Sequence, residues 1–196
     1  AFAKGLRSVN KDASVSVIWV NTWKDSVKEA DAAKVHVAEG ADVLAQHTDT
    51  PAMLQIAEKN KVLGFGQATD MAAFAPNAQL FSSINNWGPY YVKKIEQLRS
   101  GKWNTGDGPN HWSGNEWGGL NSGMLTLSKF QNMPGEVAKK AQKAHDEIKS
   151  GKLKIFAGPL IDNTGKEIIP AGKVLDDGAL WGMNYYLQGV NGKVPN

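Results

Sequence analysis

Ala41-Asp42-Val43-Leu44-Ala45-Gln46-His47-Thr48-Asp49-Thr50-Pro51 is an apolar strand that runs into a polar loop and then opens a helix. Pro51 sits where a helix begins, in the first turn, because its missing N–H has no intrahelical acceptor to serve there. The same event recurs on either side. Val15-Ser16-Val17-Ile18-Trp19-Val20 meets Asn21-Thr22-Trp23-Lys24-Asp25, and Val62-Leu63-Gly64-Phe65-Gly66 meets Gln67-Ala68-Thr69-Asp70. Leu80-Phe81-Ser82-Ser83-Ile84 meets Asn85-Asn86-Trp87-Gly88-Pro89. Strands alternating with helices imply a parallel sheet, since parallel neighbours need a crossover. All strand-to-helix loops of such a sheet lie on one edge, and ligands bind in the crevice outside it. Four polar loops are therefore expected to converge on one site.

Farther along, the spacing predicts helices over 25–39, stopped by Gly40, and over 50–60. Trp87, Tyr91, Ile95 and Leu98 mark a third helix, and Val137, Ala141, Ala144 and Ile148 a fourth. Gly123–Leu127 reads as a strand, and Leu153–Gly158 with Glu167–Ile169 as a hairpin around Asp162-Asn163-Thr164-Gly165. Leu180, Met183 and Leu187 predict a terminal helix closed by Gly189, and Trp103 to Asn121 reads as a long loop.

The 196 residues carry 41% hydrophobic and 21% charged side chains and a formal charge of +3, the balance of an ordinary globular protein. The lysines are scattered, and the densest group, Lys139, Lys140 and Lys143, is interleaved with Glu136, Asp146 and Glu147. That is a solvated helix face rather than a nucleic-acid footprint. There is no cysteine, so neither disulfides nor thiolate chemistry enter. No apolar run approaches the ~20 residues of a membrane span. The first residues, Ala1 to Asn10, read as a helix entered partway, with Phe2, Leu6 and Val9 on one face. The chain is expected to be a fragment of something longer.

Catalytic patterns are thin. No Gly-x-Ser-x-Gly elbow occurs, and His36, His47, His111 and His145 lack metal-ligand spacing. His36 and His145 read as structural, and His111 with Glu116 as solvated rather than metal-binding. Gly64-Phe65-Gly66-Gln67-Ala68-Thr69 begins like a dinucleotide fingerprint, but Thr69 stands at the third glycine, and no Gly-x-x-x-x-Gly-Lys loop exists. No cofactor and no metal are expected. Trp23 has two open readings: an indole offered to a flat heterocycle in the crevice, or one folded back on its own helix. Trp87 is paired with Tyr91 one turn on, which favours packing, and Trp19 reads as core. Asp25, Asp49 and Asp70 read as helix caps. His47 at a strand end lines the expected pocket, and Gln67, Asn85 and Asn86 offer both donor and acceptor to a heterocycle edge.

Asn21-Thr22-Trp23-Lys24-Asp25, the stretch 40–51 and Gly66-Gln67-Ala68-Thr69-Asp70-Met71 resemble the basic membrane protein (Bmp/Med) family of ABC-importer substrate-binding lipoproteins. So do Asn86-Trp87-Gly88-Pro89-Tyr90-Tyr91, Gly158-Pro159-Leu160-Ile161-Asp162 and Gly182-Met183-Asn184-Tyr185-Tyr186. The resemblance implies an α/β fold of the type I periplasmic-binding-protein kind, with a parallel sheet flanked by helices. It implies a C-terminal fragment lacking most of the first lobe. Residues 1–86 would be the second-lobe core, and 87–196 a crossover helix, a Trp/Gly-rich loop and the segments completing the lobes.

The implied function is an extracytoplasmic solute-binding component, not an enzyme, that captures a purine base or nucleoside for ABC permease subunits. It would be periplasmic or cell-surface, held at the membrane only by a lipid anchor on the absent N-terminal part, with no nucleic-acid partner. Trp23 matches the family's second-lobe stacking aromatic, and Asp70 with Gln67 the region of its ligand-binding carboxylate. With the residues of the strand-end loops, the candidate ligand set is Trp23, His47, Thr48, Asp49, Gln67, Asp70, Asn85, Asn86 and Trp87. Asn85 stands where nucleoside-binding members carry a lysine, which tilts the expectation toward a free base such as adenine. Two other classes stay open on the residues themselves: a nucleoside hydrolase or ribosyl transferase using Asp25, Asp49 and Asp70, and a glycan-binding module using Trp103, Trp112 and Trp117.

Overall fold

The computed structural model describes residues 1–102 and 116–195. They form two compact units, one of residues 22–150 and one of residues 1–21 with 151–196.

In the unit of residues 22–150, strands β1 (Val43–Ala45), β2 (Leu63–Ala68), β3 (Gln79–Asn85) and β4 (Leu125–Leu127) form one sheet in that order. β1, β2 and β3 are parallel, while β4 runs antiparallel beside β3. The repeated strand-loop-helix pattern thus builds the expected parallel core with one antiparallel strand added. Helix α2 (Ser26–Ala38) starts where the Asp25 carboxylate accepts from the N–H groups of Val27 and Lys28, both at 3.1 Å. It ends where Gly40, at φ +90°, lets its own N–H reach Val37 O and that of Ala41 reach His36 O. This is a Schellman closure, which an L side chain at Gly40 would strain.

Helix α3 (Ala52–Asn60) packs on α2 and on β1 and β2. Ala33, Leu44, Met53, Leu54, Ala57, Met71, Ala75 and Ala78 are buried together as the core, and Leu54 is fully buried. Phe65, Phe81 and Phe130 make a run of edge-on ring contacts at 4.8 and 5.2 Å. Helices α4 (Trp87–Arg99) and α5 (Gly135–Lys149) complete the unit.

The third crossover departs from the helical expectation. Between β2 and β3 there is only a 3₁₀ turn, Ala72–Phe74, because Pro76 leaves no room for a longer helix. The glycines that imitate a nucleotide fingerprint serve packing. A Cβ on Gly64 would stand 2.7 Å from Leu54 Cδ2, and one on Gly66 2.0 Å from Ser82 Oγ.

The other unit contains α1 (Phe2–Val9), the two-stranded β5 (Leu160–Ile161) and β6 (Glu167–Ile169), and α6 (Asp177–Trp181). Four expectations are corrected here. Val15–Val20 is not a strand of the main sheet: among the described residues only Val15 pairs, in an isolated parallel bridge to Val190. With no partner edge along its length, the segment leaves Val17 and Ile18 exposed. Trp19 is 53% exposed rather than core, and its Nε1–H donates to Tyr186 Oη at 2.6 Å. The partner of β6 is Leu160–Ile161 rather than Leu153–Gly158, and Leu160 is buried in that pairing while Leu153 is exposed. The terminal helix stops at Trp181, ahead of Gly182, and Leu187 is buried through a bridge to Asp162 instead. At the β5–β6 turn, Asp162 Oδ1 accepts from Thr164 Oγ1 (2.7 Å), Thr164 N (2.8 Å) and Lys166 N (2.9 Å).

Candidate functional site

Parallel strands lie about 4.8 Å apart, so the carboxyl ends of β1, β2 and β3 bring their following loops within about 10 Å of one another. The loop bearing Trp23 joins this edge although no sheet strand precedes it. The Asp49 N–H donates to Trp23 O at 2.8 Å, and the Trp23 and His47 rings meet edge-on with centroids 5.6 Å apart. Trp23 is 66% exposed. Of its two readings, an indole folded down onto its own helix is not what the structure holds: the ring stands at the rim with most of its surface open.

Buried Glu29 and half-buried Gln46 fix the loop after β1. Glu29, 3% exposed, accepts from Thr50 Oγ1 at 2.6 Å and from Asp25 N at 3.1 Å, tying α2 to the start of α3. Gln46 Nε2 donates to Thr48 O (3.3 Å) and Thr50 O (2.8 Å), which curls residues 47–49 into a tight rim. Gln46 Oε1 is buried and has no partner among the described residues. Asp49 does not cap α3; Thr50 Oγ1 accepts from Ala52 N instead, being nearer the first turn.

After β2, Gln67 is half-buried, and Ala68 sits at φ +64°. A left-handed alanine carries about 1–2 kcal/mol of steric cost, and such strain gathers where a loop must be aimed. Asp70 Oδ1 accepts from Ala72 N at 3.1 Å, the turn-capping role expected of it, and from Gln79 Nε2 at 2.9 Å. Its Oδ2 has no partner among the described residues.

After β3, the predicted residues divide. Asn85 is exposed at the strand end. Asn86 is committed to structure, with its Nδ2 donating to Gly123 O at 2.9 Å and its N–H to Met124 O at 2.8 Å. Trp87 packs on Tyr90 and Tyr91, with centroids 6.0 and 6.2 Å away. The edge thus gathers Trp23, His47, Thr48, Asp49, Gln67, Asp70 and Asn85, while the side chains of Asn86 and Trp87 are occupied locally.

Sequence reasoning missed Gln46, which holds the loop that follows it, and Gln79 and Ser82, which reach from β3 to the Asp70–Met71 loop. Gly66, which a Cβ would jam against Ser82, was the one local signal of them. His36 lies 3.9 Å from Glu39, and His145 lies 2.9 Å from Asp146, whose carboxyl it holds below the usual range. Glu116 pairs with Lys94 (2.7 Å) and Lys93 (2.9 Å), which lower its pKa. Trp103, His111 and Trp112 lie outside the described residues; Trp117 is exposed. Among the described residues, no group of three His, Asp or Glu side chains could hold a metal, and no helix is long and apolar enough to cross a membrane. An open groove along Leu127, Phe130, Ala138, Gln142 and His145 lies beyond the far end of β4, and because β4 is antiparallel it belongs to the edge opposite this site.

Residues 1–157 match the Bmp family, described as ABC transporter substrate-binding protein PnrA-like. A purine-binding protein from Brucella abortus is 43% identical over 195 residues, covering 100% of this chain and 53% of that protein. A Haloferax volcanii protein, provisionally named ABC transporter glucose-binding protein, is 29% identical over 197 residues, covering 100% of this chain and 46% of its own. Among solved structures, an ABC transporter solute-binding protein from Conexibacter woesei superposes with a TM-score of 0.56 at 21% identity, over 76% of this chain and 48% of that one. The chain spans about half the length of the curated relatives it matches. The structural likeness agrees with the α/β binding-protein fold expected from the sequence.

Proposed function

We propose, from the premise that this chain belongs to the Bmp family of PnrA-like ABC transporter substrate-binding proteins, that the protein captures a purine base or nucleoside outside the cytoplasm. It then presents the ligand to permease subunits, tethered to the membrane by a lipid anchor. The observation that carries this reading is the Trp23 indole, 66% exposed at the rim and fixed through its own backbone to Asp49. An indole held open costs hydration unless a flat ligand covers it, and base–aromatic stacking contributes about 1–3 kcal/mol per base. The purine-binding name of the 43% identical relative supports the ligand class.

His47, Thr48 and Asp49 would border the base beside Trp23, with Gln67 and Asp70 reading its edge. Exposed Asn85, with no charge to offer a ribose, supports a free base over a nucleoside. Asn86 and Trp87 would shape the rim from behind, through Gly123 and the Tyr90–Tyr91 pair. No bond chemistry is needed, and selectivity would come from pairing buried polar groups to the heterocycle edge.

Titration calorimetry of the intact protein with adenine, adenosine and glucose tests this. Trp23→Ala is expected to weaken adenine binding at least tenfold while leaving the melting temperature nearly unchanged, since the side chain is mostly exposed. Unchanged adenine affinity would reject the stacking role, and heat with glucose alone would transfer the site to sugars.

A further inference from the structure

Gln79, the first residue of β3, is 0% exposed, yet its amide belongs to a chain of hydrogen bonds that reaches the rim. Ser82 Oγ accepts from the Met71 N–H at 3.1 Å and donates its proton to Gln79 Oε1 at 2.9 Å. Gln79 Nε2 then donates to Asp70 Oδ1 at 2.9 Å, and the same oxygen accepts from the Ala72 N–H at 3.1 Å. A flipped amide would set two acceptors, Gln79 Oε1 and Asp70 Oδ1, against each other, so the carboxylate, which can only accept, dictates which way the amide points, and the serine proton follows it onto Oε1. Asn132 Nδ2 pins the Gln79 backbone by donating to its carbonyl at 2.8 Å. Gly66 supplies the space, since a Cβ there would approach Ser82 Oγ to 2.0 Å and Gln79 Oε1 to 3.0 Å.

We propose that Gln79 is the positioning residue of the ligand site: it locks one oxygen of Asp70 and so presents the other, at fixed orientation, as the acceptor for a purine N–H or a ribose hydroxyl. This rests on reading the rim as a purine site. The network is one-directional, from the Ser82 hydroxyl to the Gln79 amide to the carboxylate. With Oδ1 holding two donors, Oδ2 is left to a ligand. A carboxylate free to rotate at an exposed loop would lose that orientation to side-chain entropy on binding.

The test is a double-mutant cycle in the intact protein, read by calorimetry with adenine, hypoxanthine and adenosine. Gln79→Met keeps the length and burial but removes both hydrogen bonds; Gln79→Glu is the near-isosteric second variant should the first fold poorly. Either is expected to weaken adenine binding about tenfold, the scale of one hydrogen bond to a charged group. In an Asp70→Asn background the same change at position 79 should cost no further affinity, while Gln79→Met still lowers the melting temperature, because the Ser82 hydroxyl loses its acceptor in either background. That split marks a role acting through Asp70, which a merely structural residue would not show. Equal affinity losses in both backgrounds, or a loss from Asp70→Asn with none from either Gln79 variant, would overturn the positioning role alone. Wild-type protein that binds none of the three purines would overturn the site reading and this inference together.

Discussion

Gly66→Ala probes the packing beneath the rim without touching it. The new Cβ would stand 2.0 Å from Ser82 Oγ, 3.0 Å from Ser82 Cβ and 3.0 Å from Gln79 Oε1. The first of these is far inside contact distance, so Ser82 must rotate its hydroxyl away. That breaks two bonds at once, leaving the Met71 N–H without its acceptor and Gln79 Oε1 without its donor. Each buried group so orphaned costs about 1–3 kcal/mol, and the crowding that persists at Ser82 Cβ adds about 1–3 kcal/mol. Against this, alanine restricts the unfolded chain more than glycine does, an offset of about 0.5–1 kcal/mol. The expected loss is about 2–8 kcal/mol, comparable with the 5–15 kcal/mol typical of a folded protein. Urea denaturation followed by circular dichroism reads it as a lower midpoint at unchanged slope. Adding Ser82→Ala should recover part of the loss, because the atom that clashes is gone and the double variant becomes less destabilised than the two single changes together. A loss under about 1 kcal/mol, or strict additivity of the two changes, would refute the geometry from which the estimate is built.

The remaining predictions concern other parts of the chain. Thr50→Val removes the hydroxyl that donates to Glu29 Oε2, at 2.6 Å, and should cost about 1–3 kcal/mol in the same urea experiment; Glu29 is 3% exposed, so water cannot easily replace the donor. Asp162 has its carboxyl pKa lowered first by the Thr164 hydroxyl and then by backbone N–H groups of the turn. A depressed folded pKa contributes stability present above the unfolded carboxylate value, about pH 4, and lost as pH falls through the folded value. Asp162→Asn should therefore flatten the acid limb of a stability-against-pH curve below about pH 4, while an unchanged limb would contradict the turn's role.

Much of the fold was legible because it is written in short-range chemistry. The segments 41–46, 62–66 and 80–84 announced parallel strands, and β1, β2 and β3 occupy them to within a few residues. Gly40 and Asp25 announced the ends of α2, and both act as read, since capping involves only neighbours within one turn. Val15–Val20 shows the limit. Its apolar run promised a strand, but a strand exists only where a second edge accepts its hydrogen bonds, and pairing was found at Val15 alone.

The site divides in the same way. Which residue types stand at the strand ends, and that their loops share an edge, follows from the order of strands and helices, because parallel connection forces every such loop to one side. Sequence therefore put His47, Asp49, Gln67, Asp70 and Asn85 at or just after strand ends, whereas the strand read ahead of Trp23 is not part of the sheet. Tertiary structure alone decided that Trp23 stands open against His47, that Asn86 is spent on Gly123, and that Ser82 and Gln79 reach Asp70 through the room left by Gly66. Those contacts join groups from different strands and loops across space, and periodicity along a chain carries no record of which side chains will meet once the sheet closes.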